Sequence, residues 1–263
     1  MNPAGPPIVE TRGVTMSFGG LLALDQVDFQ IGAGSITALI GPNGAGKTTF
    51  FNCLTGIYIP TSGTITLNQP SGPRQLHGLR PDQVTTLGLA RTFQNIRLFN
   101  DLTVLENVLI GCHCRMKAGL LGALFRDRKT RAEERAMAEF SYQLLDRYGL
   151  GGAANELTKN LPYGAQRRLE IVRALATRPS LLLLDEPAAG LNIGETRELE
   201  DLIHIIRERE SLSVLLIEHD MSLVMSISEQ IYVMEYGRVI ARGTPEVIRN
   251  DSRVIQAYLG EEA

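Results

Sequence analysis

The sequence predicts an α/β fold in which a mainly parallel sheet carries helices on both faces, is preceded by an N-terminal antiparallel β subdomain and is interrupted by a helical insertion. Three observations lead there. Short, largely apolar runs at residues 36–40, 181–184 and 214–217 read as strands, the last two as buried ones. Longer segments between them repeat their apolar residues every three or four positions, as amphipathic helices do. A glycine-rich run joins the first of those strands to a helix-like segment, which makes a strand–loop–helix unit.

Taken in order, residues 1–7 are rich in Pro and Gly and read as a loose tail, without the basic and apolar regions of a signal peptide. Residues 8–16 and 24–31 read as antiparallel strands about a turn at Gly19-Gly20, and the apolar strand at 36–40 follows. After the glycine run, residues 49–54 continue as helix; Thr61-Ser62-Gly63 forms a turn before an alternating strand at 64–67. Residues 69–81 hold three Pro and two Gly and are expected to be loop. Thr103, with Glu106 three residues on, is a capping box that opens a helix through Val104, Leu105, Val108 and Leu109.

The densely charged stretch 126–135 leads into a second amphipathic helix marked by Ala132, Ala136, Phe140, Leu144 and Tyr148 and closed by Gly149. A linker at 151–161 precedes a helix over 165–177, with Leu169, Val172, Leu175 and Ala176 on one face and Pro179 as its stop. Beyond the strand at 181–184 comes a helix through Leu199, Leu202, Ile203 and Ile206. Asp220 is placed to cap the helix after strand 214–217. Residues 231–234 and 239–241 make a hairpin about Gly237, and Thr244-Pro245-Glu246 starts the last helix. No strand lies between the helices of 103–177, so roughly 95–178 is expected to be a helical subdomain within a single domain spanning 1–263.

At 263 residues and 44% hydrophobic, the chain can bury a full core, and its net charge of −3 offers no basic excess to a nucleic-acid backbone. Three cysteines form no paired framework, and Cys112-His113-Cys114 falls short of four zinc ligands. The longest uncharged apolar stretch, around residues 120–125, is far below the ~20 residues of a membrane span.

The chemistry starts at Gly41, Pro42, Asn43, Gly44, Ala45, Gly46, Lys47 and Thr48, a complete G-x-x-x-x-G-K-[ST] run. Its glycines let backbone N–H groups turn inward, and the helix that follows adds the positive end of its dipole, so a triphosphate fits. Lys47 is positioned to reach the β- and γ-phosphates, and the Thr48 hydroxyl to hold Mg²⁺. The run of four leucines at 181–184 ends on Asp185, Glu186 and Pro187, which puts two carboxylates at the ligand-bearing edge of the sheet. Asp185 can support Mg²⁺ and Glu186 can act as general base toward water. His219 follows the next buried strand in the same way, where it can contact a γ-phosphate.

With these residues, the chain resembles the ABC transporter ATPases over nearly its whole length. The resemblance implies the ABC ATPase fold on a P-loop NTPase core, with ATP and Mg²⁺ as cofactors. Gln94 falls at the family's Q-loop, as a catalytic residue and a Mg²⁺ contact beside Thr48 and Asp185; His219 falls at its switch histidine, and Thr49 beside the phosphate loop joins the nucleotide contacts. Phe18 stands where an aromatic ring stacks on adenine. LPYGAQRRLEIVRAL, residues 161–175, aligns with the LSGGQ signature and the helix after it: Gly164 is kept, whereas Pro162, Tyr163 and Ala165 replace serine, glycine and glutamine. Asn192 similarly replaces the acid of the usual SALD. In this family two ATPase subunits pair head to tail, so Tyr163, Gly164 and Ala165 are expected at the partner's nucleotide. Because Pro162 has neither a hydroxyl nor an N–H, that contact is expected to be weak, and a heterodimer with a related ATPase is expected over a homodimer.

The segments GLARTFQNIRLFNDLTVLENVLIG (88–111), DEPAAGLN (185–192), LLIEHDMSLVM (215–225) and the ending GTPEVIRNDSRVIQAYLG resemble the ATPase of branched-chain amino-acid importers, with the lipopolysaccharide-transport ATPase as the competing subgroup. That implies transmembrane permease subunits as partners, an external solute-binding protein indirectly, and residence at the cytoplasmic face of the membrane. Ile96, Leu98, Phe99 and Leu102 form the expected docking patch for the permease. A soluble ABC protein working on ribosomes or DNA would carry two cassettes or a long coiled coil. A P-loop kinase would leave Gln94, the signature-like segment and His219 without a role.

Overall fold

The computed structural model describes residues 6–115 and 128–259. Among the described residues ten strands form two sheets. β1 (Val9–Phe18), β2 (Leu21–Ile31), β4 (Ser62–Gln69) and β5 (Gly72–Gln75) make an antiparallel sheet in the order β2-β1-β4-β5. β3 (Ile36–Ile40), β6 (Leu89–Arg91), β7 (Leu181–Asp185), β8 (Ser213–Ile217), β9 (Gln230–Glu235) and β10 (Arg238–Gly243) make the second, in the order β10-β9-β3-β8-β7-β6. Every pairing in that sheet is parallel except the β9–β10 hairpin.

The strands that read as buried, β7 and β8, are so at every residue, and every residue of β3 is buried as well. One face of the parallel sheet packs through Leu39, Leu183, Leu215 and Ile217 onto the antiparallel sheet and α1 (Lys47–Leu54). The other meets the helical insertion through Leu182, Leu184, Val214 and Leu216. Burial at this density, at about 25 cal/mol per Å² of apolar surface, is what holds the layers together.

Among the described residues the insertion holds α3 (Val104–Cys112), α4 (Arg128–Arg147) and α5 (Tyr163–Leu175), preceded by α2 (Pro81–Thr86). The expected capping box is formed, with Glu106 N donating to Thr103 Oγ1 at 3.2 Å and Thr103 N to Glu106 Oε2 at 2.7 Å. Buried Asn107 fixes the chain ahead of it, donating to the carbonyl of Phe99 and accepting from its N–H. After the insertion come α6 (Ile193–Glu210), α7 (Met221–Ile227), α8 (Pro245–Arg249) and α9 (Ser252–Leu259).

Several expectations change. The proline-rich stretch 69–81 contains β5, and α2 and β6 follow it; Pro73 lies in β5, the terminal strand of its sheet, where a missing N–H leaves no ladder bond unmade. β4 begins within the expected turn, at Ser62. The linker 151–161 holds two short 3₁₀ turns, Gly151–Ala153 and Thr158–Asn160. α5 begins two residues early, so the signature-like residues form its first turn. Thr244 precedes α8 without a side-chain cap, although Asp220 does cap α7 through Ser222 N and Leu223 N. Pro7, in the expected loose tail, is tied down where its carbonyl accepts from Asn68 Nδ2 at 2.7 Å. The apolar stretch 120–125 and the rest of that tail, residues 1–5, lie outside the described residues. Among the described residues no helix is long and apolar enough to cross a membrane.

Candidate active site

The glycine run bridges β3 and α1 at the carboxyl edge of the parallel sheet. Gly41 and Gly46 hold positive φ, at 149° and 101°. A Cβ on Gly41 would run into the Met234 carbonyl, and one on Gly46 would lie 2.6 Å from the Ala23 carbonyl oxygen. Only glycine fits both positions. The hydrogen bond from Gly237 N to the Ala45 carbonyl, 3.0 Å, ties the loop to the β9–β10 turn. Lys47 Nζ folds back over the loop and donates to the carbonyls of Gly41 at 2.5 Å and Pro42 at 2.8 Å. Thr48 is exposed, Thr49 half-buried, and Asn43 and Gly44 form the open rim.

Parallel pairing brings the ends of β6, β7 and β8 beside this loop. Gln94, just past β6, donates from Nε2 to Glu186 Oε2 at 2.7 Å. His219 Nδ1, just past β8, lies 3.7 Å from the same oxygen. Two residues remote in sequence thus converge on one carboxylate. Glu186 holds φ 45°, in the left-handed region, with its N–H on the Ile217 carbonyl and its own carbonyl accepting from Ala189 N. Asp185 is buried and bound by Arg91 Nη2 at 2.6 Å. Phe18 ends β1 with its ring edge-on to Tyr58, centroids 5.2 Å apart.

The structure sets Tyr163, Gly164 and Ala165 against the segment that follows Glu186. Tyr163 Oη donates to the Ala189 carbonyl at 3.0 Å, and a Cβ on Gly164 would approach Glu195 to 2.9 Å. Pro162 is the N-cap residue of α5 and makes no side-chain cap bond. Asn192, in the place of an acid, caps α6 by accepting from Gly194 N and Glu195 N. The expected docking patch divides: Phe99 is 49% exposed, while Leu98 packs on the core of the insertion.

Four charged residues belong to the site beyond those the sequence points to. Arg91 is one, and a basic residue directly after the apolar pair Leu89-Ala90 is its signal. Glu218 is another: it is buried beside His219 and accepts from Ala188 N at 2.7 Å and His219 N at 3.0 Å. Burial pushes its carboxyl above the usual range against the pull of those N–H groups. Arg167 and Glu170 form a buried pair at 2.9 Å in which Arg167 also donates to the Phe93 and Gln94 carbonyls. Glu170 accepts from Arg97 N at 3.2 Å, and burial likewise raises its carboxyl.

Known proteins resemble this chain over nearly its whole length. The profile of the ABC transporter family matches residues 24–189, and that of the branched-chain amino acid ATP-binding cassette transporters matches 238–263. The high-affinity branched-chain amino acid transport ATP-binding protein LivG of Salmonella typhimurium is 50% identical over 97% of this chain and 98% of its own. BraF of Pseudomonas aeruginosa, of the same description, is 48% identical over the same shares. Among solved structures, the ADP conformation of MJ1267, an ATP-binding cassette of an ABC transporter, superposes with a TM-score of 0.83 at 28% identity, covering 97% of this chain and all of its own. A nucleotide-free cassette from an ABC transporter gives 0.82 at 29%, over 96% of this chain and 98% of its own.

Proposed function

Because this chain belongs to the ATP-binding proteins of ABC transporters, close to those of branched-chain amino-acid transport, we propose that its phosphate loop and the Gln94–Glu186–His219 cluster form the hydrolytic site of a branched-chain amino-acid importer. The observation that carries the reading is the meeting of Gln94 and His219 on the Glu186 carboxylate at the sheet edge that bears Lys47.

Lys47 meets the β- and γ-phosphates, exchanging its two loop carbonyls for the charge of the nucleotide. Thr48, Gln94 and Asp185 are an all-oxygen donor set with an exposed hydroxyl at its outer side, which suits Mg²⁺, so these residues would hold it. When bound, that ion neutralises charge on the transferring phosphoryl group. Glu186 accepts the proton of water as general base, with Gln94 fixing one of its oxygens. His219 stands beside that oxygen, placed to contact the γ-phosphate. Phe18 offers its exposed ring to adenine. Tyr163, Gly164 and Ala165, at the N-terminus of α5, face the nucleotide of a second ATPase subunit, and a related chain is the partner that compensates Pro162.

In this reading the protein is peripheral to the membrane at its cytoplasmic face. Transmembrane permease subunits dock at Phe99 and Leu102, and an external solute-binding protein delivers the amino acid to them. The test is to purify the complex by a tag on this chain, identify its integral membrane subunits, and follow labelled leucine into vesicles with ATP. Leucine uptake that needs ATP is expected. A complex that hydrolyses ATP and moves no branched-chain amino acid would overturn the assignment.

A further inference from the structure

The signature-like segment is bonded to the hydrolytic cluster of its own chain. Tyr163, whose ring replaces a glycine, donates its hydroxyl to the Ala189 carbonyl at 3.0 Å and lies against Gly190, where a Cβ would meet the ring at 3.2 Å. Ala189 N in turn donates to the Glu186 carbonyl at 3.1 Å. One helical turn after Tyr163, Arg167 Nη2 lies 3.4 Å from its hydroxyl and donates to the Gln94 carbonyl at 2.8 Å. Gln94 closes the ring by donating to Glu186 Oε2 at 2.7 Å. Two routes from one turn of α5 therefore end on Glu186, one at its backbone and one at its carboxylate.

Both routes have little slack. Arg167 is sealed from solvent and paired with Glu170, which also accepts the N–H of Arg97, so the backbone of residues 93–97 is held by α5 from both sides. Glu218 anchors the neighbouring Ala188 N–H at 2.7 Å, which leaves the Ala189 carbonyl as the point where α5 can act on this loop. Tyr163 is still 44% exposed, so a body pressed against residues 162–165 bears on it directly.

We infer that Tyr163 and Arg167 are positioning residues that set the placement of Glu186 from the signature side of the same chain. Occupation of this signature by the second subunit's nucleotide is thereby coupled to the base of the subunit that bears the signature. A glycine at 163, as in the usual signature, would have no side chain to make the link. The inference rests on the ATPase reading and not on the identity of the solute, so a complex that hydrolyses ATP without moving leucine would refute the transport assignment and still test this one.

The experiment is a double-mutant cycle on the purified complex with Tyr163→Phe, which removes only the hydroxyl, and Glu186→Gln. Tyr163→Phe is expected to lower kcat about 3- to 10-fold with KM for ATP within twofold, and to cause no further loss in the Glu186→Gln background. The thermal midpoint should stay within about 2 °C, since one half-exposed hydrogen bond is removed. Hydrogen exchange gives a reading without turnover: the amides of residues 188–190 should exchange several-fold faster in Tyr163→Phe. Arg167→Lys should lower kcat in the same pattern, and a paired Arg167→Met, Glu170→Leu variant keeps the test valid if the single variant unfolds. Wild-type kcat in Tyr163→Phe, an equal fractional loss with and without Glu186, or unchanged exchange at 188–190 would overturn the inference.

Discussion

Arg91 and Asp185 form an ion pair at 2.6 Å with both side chains almost wholly sealed from solvent. The guanidinium also lies over the rings of Phe51 and Phe93, at 5.4 and 5.1 Å from their centroids, and takes Asn52 Oδ1 at 2.7 Å. Arg91→Met should therefore leave Asp185 as a buried charge without its counter-ion. Breaking such a pair from one side costs about 3–5 kcal/mol. Chemical denaturation of the isolated subunit should show that loss, and a loss below about 1 kcal/mol would mean that the pair is no structural element.

Glu186→Gln should cut ATP hydrolysis by two or more orders of magnitude, because the amide cannot accept the proton of water. ATP affinity should stay within a few-fold. Single-turnover hydrolysis beside calorimetric binding separates the two, and wild-type turnover would move the role of base to His219.

Lys47→Ala removes the side chain that bridges the Gly41 and Pro42 carbonyls and leaves the γ-phosphate without its cation. Calorimetry at millimolar ATP should detect no binding. Unchanged affinity would sink the placement of the nucleotide in this loop.

The docking patch gives a contrast within a few residues. Phe99→Ser with Leu102→Ser should leave the isolated subunit folded and able to bind ATP, because Phe99 is half-exposed and its backbone is fixed by Asn107. Recovery of permease subunits with the tagged chain should collapse. Leu98→Ala, packed on the core, should instead lower stability by about 1–2 kcal/mol, short of the ~2–5 of a fully buried leucine. A steep fall in the thermal midpoint of the Phe99, Leu102 variant would make those residues core.

Pro162→Ser should add a side-chain cap to α5, where none exists, worth about 1 kcal/mol. Light scattering of the Glu186→Gln subunit with ATP should then show dimer where the unmodified chain stays monomeric without its partner ATPase. A tight homodimer that Pro162→Ser does not improve would refute the expected heterodimer.

The parts legible in the sequence were those with one local cause. The strands 181–184 and 214–217 declared themselves by apolar runs, Thr103 and Asp220 by cap chemistry, and Gly41 to Thr48 by spacing. β5 was hidden by Pro73, which only an edge strand tolerates, a property of its neighbours and not of the residue. Arg91, Arg167 and Glu218 were hidden for a related reason: each also bonds across 30 to 94 positions, and no short window contains both ends of those bonds. Tyr163 stands out in the sequence as a replaced glycine, yet only the fold shows which carbonyl its hydroxyl meets.

Glu186 sits at φ 45°, a conformation that a residue with a side chain adopts at about 1–2 kcal/mol and glycine adopts freely. Selection for heat resistance and selection for turnover therefore pull this one position in opposite directions. A library of variants screened for thermal survival alone should enrich Gly or Asn at 186 and shed ATP hydrolysis with it, the activity being lost to a backbone angle while every residue of the phosphate loop stays as it was.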